Sequence, residues 1–336
     1  MRSGLVVSSP PGTPGALVPA DLPYVTPDDF AGNDSAKVQQ ALDHAKPCAL
    51  TRDYTITTAL VLSADDKTVL GLGGRLVTSL EIDVLTITGQ RAHVTGLRIE
   101  GSGHGNGAPT AQNGLTLNSA RGAVVIDTRI QNCGGWGVQV NGGSPFGGTE
   151  IGVLFSDLVV RACHFGWHPG ASAEYVTVTG FSFTGNSWGV IVAGGNTKFV
   201  SGSILENVIG VRLDPGPNDG HGIFADVFIN HNTLCFEIHG PIVNGMRFVT
   251  CNIYSGELVA LGDAQGIRWE RCVFDDVQFN LSGLAGSAKL FLDQCLFGIQ
   301  TSTITGAPPV GTVRAKGGTH QITGAPTNGP FPADVG

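Results

Sequence analysis

An eight-residue pattern recurs along this chain, and it narrows the possible folds more than any other feature. Leu158-Val-Val-Arg-Ala-Cys163-His-Phe165 aligns with Met246-Arg-Phe-Val-Thr-Cys251-Asn-Ile253, with Ile267-Arg-Trp-Glu-Arg-Cys272-Val-Phe274 and with Leu290-Phe-Leu-Asp-Gln-Cys295-Leu-Phe297. The template is apolar, any, apolar, two of any, small or Cys, any, apolar. Further copies run from Val176 to Phe183, Thr197 to Ile204 and Gly222 to Ile229, with weaker ones from Ala92 to Ile99 and Ala123 to Ile130. Taken at the last apolar position, the anchors are Ile99, Ile130, Phe165, Phe183, Ile204, Ile229, Ile253, Phe274 and Phe297. The first two steps, 31 and 35 residues, leave room for insertions, and the later ones lie between 18 and 25.

A second half-repeat follows the anchor. Phe183-Thr-Gly-Asn186-Ser-Trp-Gly189-Val-Ile-Val192 superposes on Ile204-Leu-Glu-Asn207-Val-Ile-Gly210-Val-Arg-Leu213 and on Ile229-Asn-His-Asn232-Thr-Leu-Cys235-Phe-Glu-Ile238. Apolar residues at every second position belong to strands with one buried face, and Asn and Gly suit corners that need positive φ. One such unit cannot bury its own inner face, so units must stack. The predicted fold is all-β: a right-handed parallel β-helix of about 21–25 residues per coil, its coils spaced at about 4.8 Å. With 50 glycines, 41% hydrophobic and only 14% charged residues, the chain suits tight turns around a continuous apolar core. Leucine-rich and ankyrin repeats have similar lengths but need helical half-repeats, and no 3.6-residue period holds over ten residues beyond position 50.

The ends depart from the repeat. Residues 34–45 predict a short N-terminal capping helix, with Asp34 or Ser35 as its cap. Val38, Ala41, Leu42 and Ala45 form its apolar stripe, and Pro47 stops it. The scheme is therefore residues 1–25, a Pro/Gly/Ser-rich segment that is extended or ordered only against a partner; 26–50, the cap; 51–300, the β-helix; and 301–336, a tail with two copies of Ile-Thr-Gly-Ala-Pro. Insertions fall at 101–112, 141–150, 166–174 and 214–222.

Net charge is −8 and the basic residues form no cluster, which argues against a nucleic-acid partner. No apolar run is long enough to span a membrane, and the N-terminus lacks the apolar stretch of a signal peptide. Seven cysteines without a C-x-x-C pair predict neither a metal site nor a disulfide framework. No cofactor is expected.

The segment Tyr24-Val-Thr-Pro-Asp-Asp-Phe30-Ala-Gly-Asn-Asp-Ser-Ala-Lys-Val-Gln-Gln-Ala-Leu-Asp-His-Ala45 resembles the opening of the pectate-lyase-like domain of bacteriophage tailspikes. The family's Gly-Asp-Gly-Val element is shortened here to Gly32-Asn33-Asp34. The resemblance implies a homotrimeric spike on a phage or phage-like particle, assembled in the host cytoplasm, that binds and in some members cuts a bacterial surface polysaccharide. It also implies that residues 1–25 attach to virion structural proteins, while the C-terminal tail either closes the bottom of the column or wraps a neighbouring chain of the trimer.

Cleavage on this scaffold needs a pair of carboxylates on one face, about 5–10 Å apart for hydrolysis. Two positions past the anchors stand Trp167, Gly185, Glu206, His231, Ser255 and Asp276. Glu206 and Asp276 lie three coils apart, about 14 Å, which is too far. Glu206 pairs with Asp214 or Asp219 only if the 214–222 loop folds back, and turn-forming Asp is the commoner role in such a loop. Arg212 falls under Glu237, as in an ordinary cross-coil ion pair. Asp275-Asp276 reads as a solvated corner.

Trp136 and Trp188, each before a corner glycine, share a column that suits either a sugar platform or packing within a trimer. Trp167, placed in an insertion, and His231 complete the glycan-binding candidates, while Trp269 reads as core. Attachment without cleavage fits best; a depolymerase (hydrolase or lyase) and a structural adaptor for other fibres are the alternatives.

Overall fold

The computed structural model describes residues 22–103, 108–142, 152–170, 173–214, 220–285, 289–297, 303–305 and 313–316. Strands from successive coils pair in parallel from Cys48 to Lys316, and the chain forms a right-handed parallel β-helix. The anchor column is continuous. Ile99, Ile130, Val160, Phe183, Ile204, Ile229, Ile253, Phe274 and Phe297 stand in register, each fully or almost fully buried. Tyr54 and Leu76 extend the column upward by two coils that carry no clear sequence copy of the repeat.

One step of the sequence register is corrected. Val160, not Phe165, is the anchor of its coil. Of the four aligned cysteines, only Cys251, Cys272 and Cys295 therefore share a position, two residues before their anchors, while Cys163 lies three residues after Val160. That second position forms a buried polar ladder. Asn186, Asn207 and Asn232 each follow an anchor by three residues and are 2% exposed. The Asn207 Oδ1 accepts from the Asn186 backbone N–H at 2.9 Å and from its side-chain amide at 3.0 Å. Asn232 does the same for Asn207 at 3.0 and 2.9 Å, and Asn186 receives the Cys163 N–H at 2.9 Å. Stacked turns bury backbone donors that the sheet ladders do not reach, and these amides satisfy them. All seven cysteines are free thiols in the interior.

Aromatic rings fill the middle and lower coils. Phe199, Phe224, Phe248 and Trp269 stack face to face with centroids 4.6, 5.0 and 5.6 Å apart, so Trp269 is core, as its inward position predicts.

The helix α1 (Asp34–Asp43) closes the upper end, burying Ser35, Val38, Ala41 and Leu42. Ala45 lies past the helix and is exposed. Asn33 is the N-cap, accepting from Ala36 N–H at 2.9 Å, in place of the expected Asp34 or Ser35. Asp34 instead takes the Arg52 guanidinium and the Thr55 N–H, while the Ser35 hydroxyl accepts from the Thr57 N–H. At the other helix end, the buried Lys67 ammonium donates to the carbonyls of Ala41, His44 and Lys46, and the dipole of the helix favours a cation there. Among the described residues no helix is long and apolar enough to cross a membrane. Residues 1–21 and most of 301–336, with the roles expected of them, lie outside the described residues.

Candidate functional site

From Ile130 to Phe274 the coil has a sharp corner two residues past each anchor, and the corrected column there is Asn132, Ala162, Gly185, Glu206, His231, Ser255 and Asp276. Every one has φ between 51° and 65°. These seven coils share the left-handed conformation whatever the side chain is, and for a non-glycine residue it costs about 1–2 kcal/mol. Glu206 and His231 are exposed corner residues on successive coils, and the His231 ring packs edge-on against Tyr254 at 5.2 Å. Asp276 is exposed at an equivalent corner, as expected.

Glu206 and Asp214 stand at opposite ends of the strand Ile209–Leu213, about 16 Å of extended chain, so the loop does not bring them together. Asp219 lies outside the described residues.

The flat sheet beyond the corner concentrates different chemistry. Its strands are Trp136–Asn141, Phe165–Pro169, Trp188–Val192, Ile209–Leu213 and the first part of Leu234–Val249. Inward residues are Val138, Trp167, Val190, Val211 and Phe236, paired coil to coil and completely or almost completely buried. Trp167 is thus enclosed by the core, edge-on to Phe155 at 4.9 Å, and offers no surface to a glycan. The stretch expected as an insertion at 166 begins as strand, because an anchor placed at Phe165 shifts the whole second half-repeat.

Facing out, Trp136, Phe165 and Trp188 form one column on successive coils, all partly exposed. Trp136 stacks on Phe165 at 3.9 Å, and Phe165 meets Trp188 edge-on at 4.9 Å. Ile209 and Leu234 continue the column as aliphatic residues.

Beside it runs a second outward column: Gln139, His168, Ile191, Arg212 and Glu237. The His168 ring lies 4.2 Å from Trp136. Burial drives its pKa down to about 4, against the opposing pull of Asp214, so it is neutral at physiological pH. The Arg212 guanidinium sits over the Trp188 ring at 4.7 Å. Its two terminal nitrogens approach Asp214 at 3.3 Å and Glu237 at 3.5 Å, the predicted cross-coil pair with a second carboxylate added. His239 Nε2 is 3.2 Å from Glu237 but off the line of a hydrogen bond. His168 Nδ1 and Arg212 Nε are buried polar atoms without a hydrogen-bond partner among the described residues.

Phe165, His168, Asp214, Arg212 and Glu237 thus join Trp136 and Trp188 on one face. With Val160 as anchor, an equal offset from the anchors Val160, Ile204 and Ile229 would have aligned His168, Arg212 and Glu237. Among the described residues no group of three His, Cys, Asp or Glu side chains converges as a metal site would require.

No protein-family model matches this sequence, and no curated protein matches it either. Solved structures do match in shape. The Dettilon tailspike protein (gp208) superposes with a TM-score of 0.54 at 12% identity, covering 88% of this chain and 64% of that one. The enzymatically active domain of bacteriophage CBA120 tailspike protein 2 covers 89% of this chain and 42% of its own at 14% identity and TM-score 0.46. The catalytic domain of a GH87 α-1,3-glucanase in complex with nigerose covers 96% and 70% at 10% identity and TM-score 0.46. The chain spans about two thirds of the Dettilon protein's length. In fold, this chain is a tailspike-like parallel β-helix.

Proposed function

We propose that this protein is the receptor-binding spike of a phage or phage-like particle and attaches it to a bacterial surface polysaccharide. The observation that carries the reading is the aromatic column Trp136–Phe165–Trp188 on an outer face, flanked by Asp214, Arg212 and Glu237. Sugar rings pack their apolar faces on aromatic planes, and their hydroxyls need acceptors and donors at the rim. The tailspike-like fold supports the particle context. In this reading the spike is a homotrimer, its N-terminal segment joins virion structural proteins, and it resides in the virion.

A second reading, a polysaccharide depolymerase, is favoured by one specific geometry. Asp214 and Glu237 bracket the Arg212 guanidinium, so their carboxylates stand no more than about 9 Å apart, within the span that paired carboxylates use in glycoside hydrolysis.

The test is to incubate the protein with capsular and lipopolysaccharide glycans and measure both retention and new reducing ends. Retention without products supports attachment alone. Products that vanish in Glu237→Gln support hydrolysis at this pair. Neither retention nor products would leave the structural adaptor as the better account. Light scattering after size exclusion checks the trimer: a mass of one chain overturns the spike reading.

A further inference from the structure

We infer that the glycan segment taken by this face carries no acidic groups: its sugars are neutral or amine-bearing, and uronate, sialate, sulfate or phosphate at this position is rejected. The inference rests on the glycan-face reading above and concerns its chemical selectivity.

Recognition of an anionic sugar needs a cationic donor free to meet it, best of all a guanidinium offering two parallel N–H groups. Arg212 is the sole Lys or Arg on the strand segments 136–141, 165–169, 188–192, 209–213 and 234–239. It is already committed. Asp214 and Glu237 approach its two terminal nitrogens, and the Trp188 ring lies beneath its plane. Of the five N–H groups of a guanidinium, one on each terminal nitrogen faces a carboxylate and Nε–H is buried, so no free pair of parallel donors is left for a carboxylate fork.

His168 supplies no charge. Its burial keeps the imidazole neutral, and its Nδ1 is itself buried, so the ring brings no cation to an approaching anion. Counting Asp214, Glu237 and Arg212, the cluster has a net charge of −1, and the next coil adds Glu257, aligned with Leu234. An approaching anion meets like charge at close range, with Arg212 already neutralised. A hydroxyl or ammonium meets unsaturated carboxylate oxygens. The net charge of −8 over the whole chain acts in the same direction at longer range.

The carboxylates are the selectivity element, so removing them should reverse the preference. We would compare wild type, Asp214→Asn/Glu237→Gln and the triple variant with Arg212→Gln added, by affinity electrophoresis in polygalacturonate and in dextran gels. A surface-glycan array would supply ligands of other structure, and thermal melts would confirm folding. Wild type should run unretarded in polygalacturonate. The double variant should gain retardation corresponding to about tenfold tighter binding, one freed charge-assisted contact. High salt and the triple variant should abolish that gain.

Wild-type binding to polygalacturonate that matches or exceeds its binding to neutral polymers overturns the inference, as does a folded double variant that gains nothing. The underlying reading fails separately: if array ligands bind but Trp188→Ala leaves every affinity unchanged, the glycan site lies elsewhere whatever its charge preference.

Discussion

Two outward columns run side by side down this β-helix, and they obey different rules. The corner column holds Asn132, Ala162, Gly185, Glu206, His231, Ser255 and Asp276, seven different residue types bound by one backbone conformation. The face column holds Gln139, His168, Ile191, Arg212 and Glu237, and its His168, Arg212 and Glu237 touch one another's neighbours or the aromatic column beside them. At a corner the chain turns and side chains splay into solvent. On the flat sheet, parallel strands hold neighbours about 4.8 Å apart, and side chains of successive coils converge. Acidic and imidazole groups at corners are therefore weak evidence of a site, whereas on the sheet face such groups converge with one another and with the aromatic column.

Substitutions can collapse this contrast or widen it. The largest effect should come from the buried ladder just behind the corner. Asn207→Ala removes acceptor and donor from a column that links three coils and strands buried groups on both sides. We expect a loss of about 3 kcal/mol in denaturant titration, and a loss below about 1 would mean that the turns satisfy their donors another way.

Next is the face itself. Trp188→Ala should weaken glycan binding about tenfold or more by calorimetry, while Glu206→Gln and His231→Ala leave it unchanged. Equal losses at corner and face would erase the distinction between the columns. Glu237→Gln should lower stability by less than about 1 kcal/mol, because Arg212 and Glu237 are both about one-fifth exposed and Asp214 remains to pair the guanidinium.

A smaller, pH-dependent effect belongs to the cap. Arg52 holds Asp28 and Asp34 below the usual carboxylate range, chiefly through hydrogen bonds. Because the folded pKa is depressed, this stabilisation is fully present above about pH 4, the unfolded value. It is lost as pH falls through the folded values. Thermal melts from about pH 6 to about pH 2 should show a drop below about pH 4 that Arg52→Met removes; a drop at neutral pH would contradict the assignment. Smallest of all, Glu206→Gly should raise stability by only a few tenths of a kcal/mol, since glycine adopts the corner conformation without strain but gives back part of that gain as unfolded-chain entropy. A loss would show that the Glu206 side chain does something its corner position does not reveal.

Much of this architecture is legible in the residues. The anchors from Phe183 to Phe297 follow from spacing to the residue, because apolar side chains at fixed spacing can be buried only by stacking. Trp136 and Trp188 fall into one column for the same reason, and Arg212 falls beside Glu237. Phe165 marks the limit. Leu158 to Phe165 satisfies the apolar template as well as Val153 to Val160 does, and nothing local separates the two frames. Only pairing with the neighbouring coils, Ile130 above and Phe183 below, selects Val160.

Local patterning dictates that the chain coils, how long each coil is and which end the helix closes, since period-two alternation, corner residues and an amphipathic stripe are properties of single stretches. Which acids meet is settled only when the coils stack. Asp214 reaches Arg212, which Glu237 also approaches, and stays away from Glu206. Contact across coils depends on sheet register and side-chain direction, and neither is written in any single stretch of the chain.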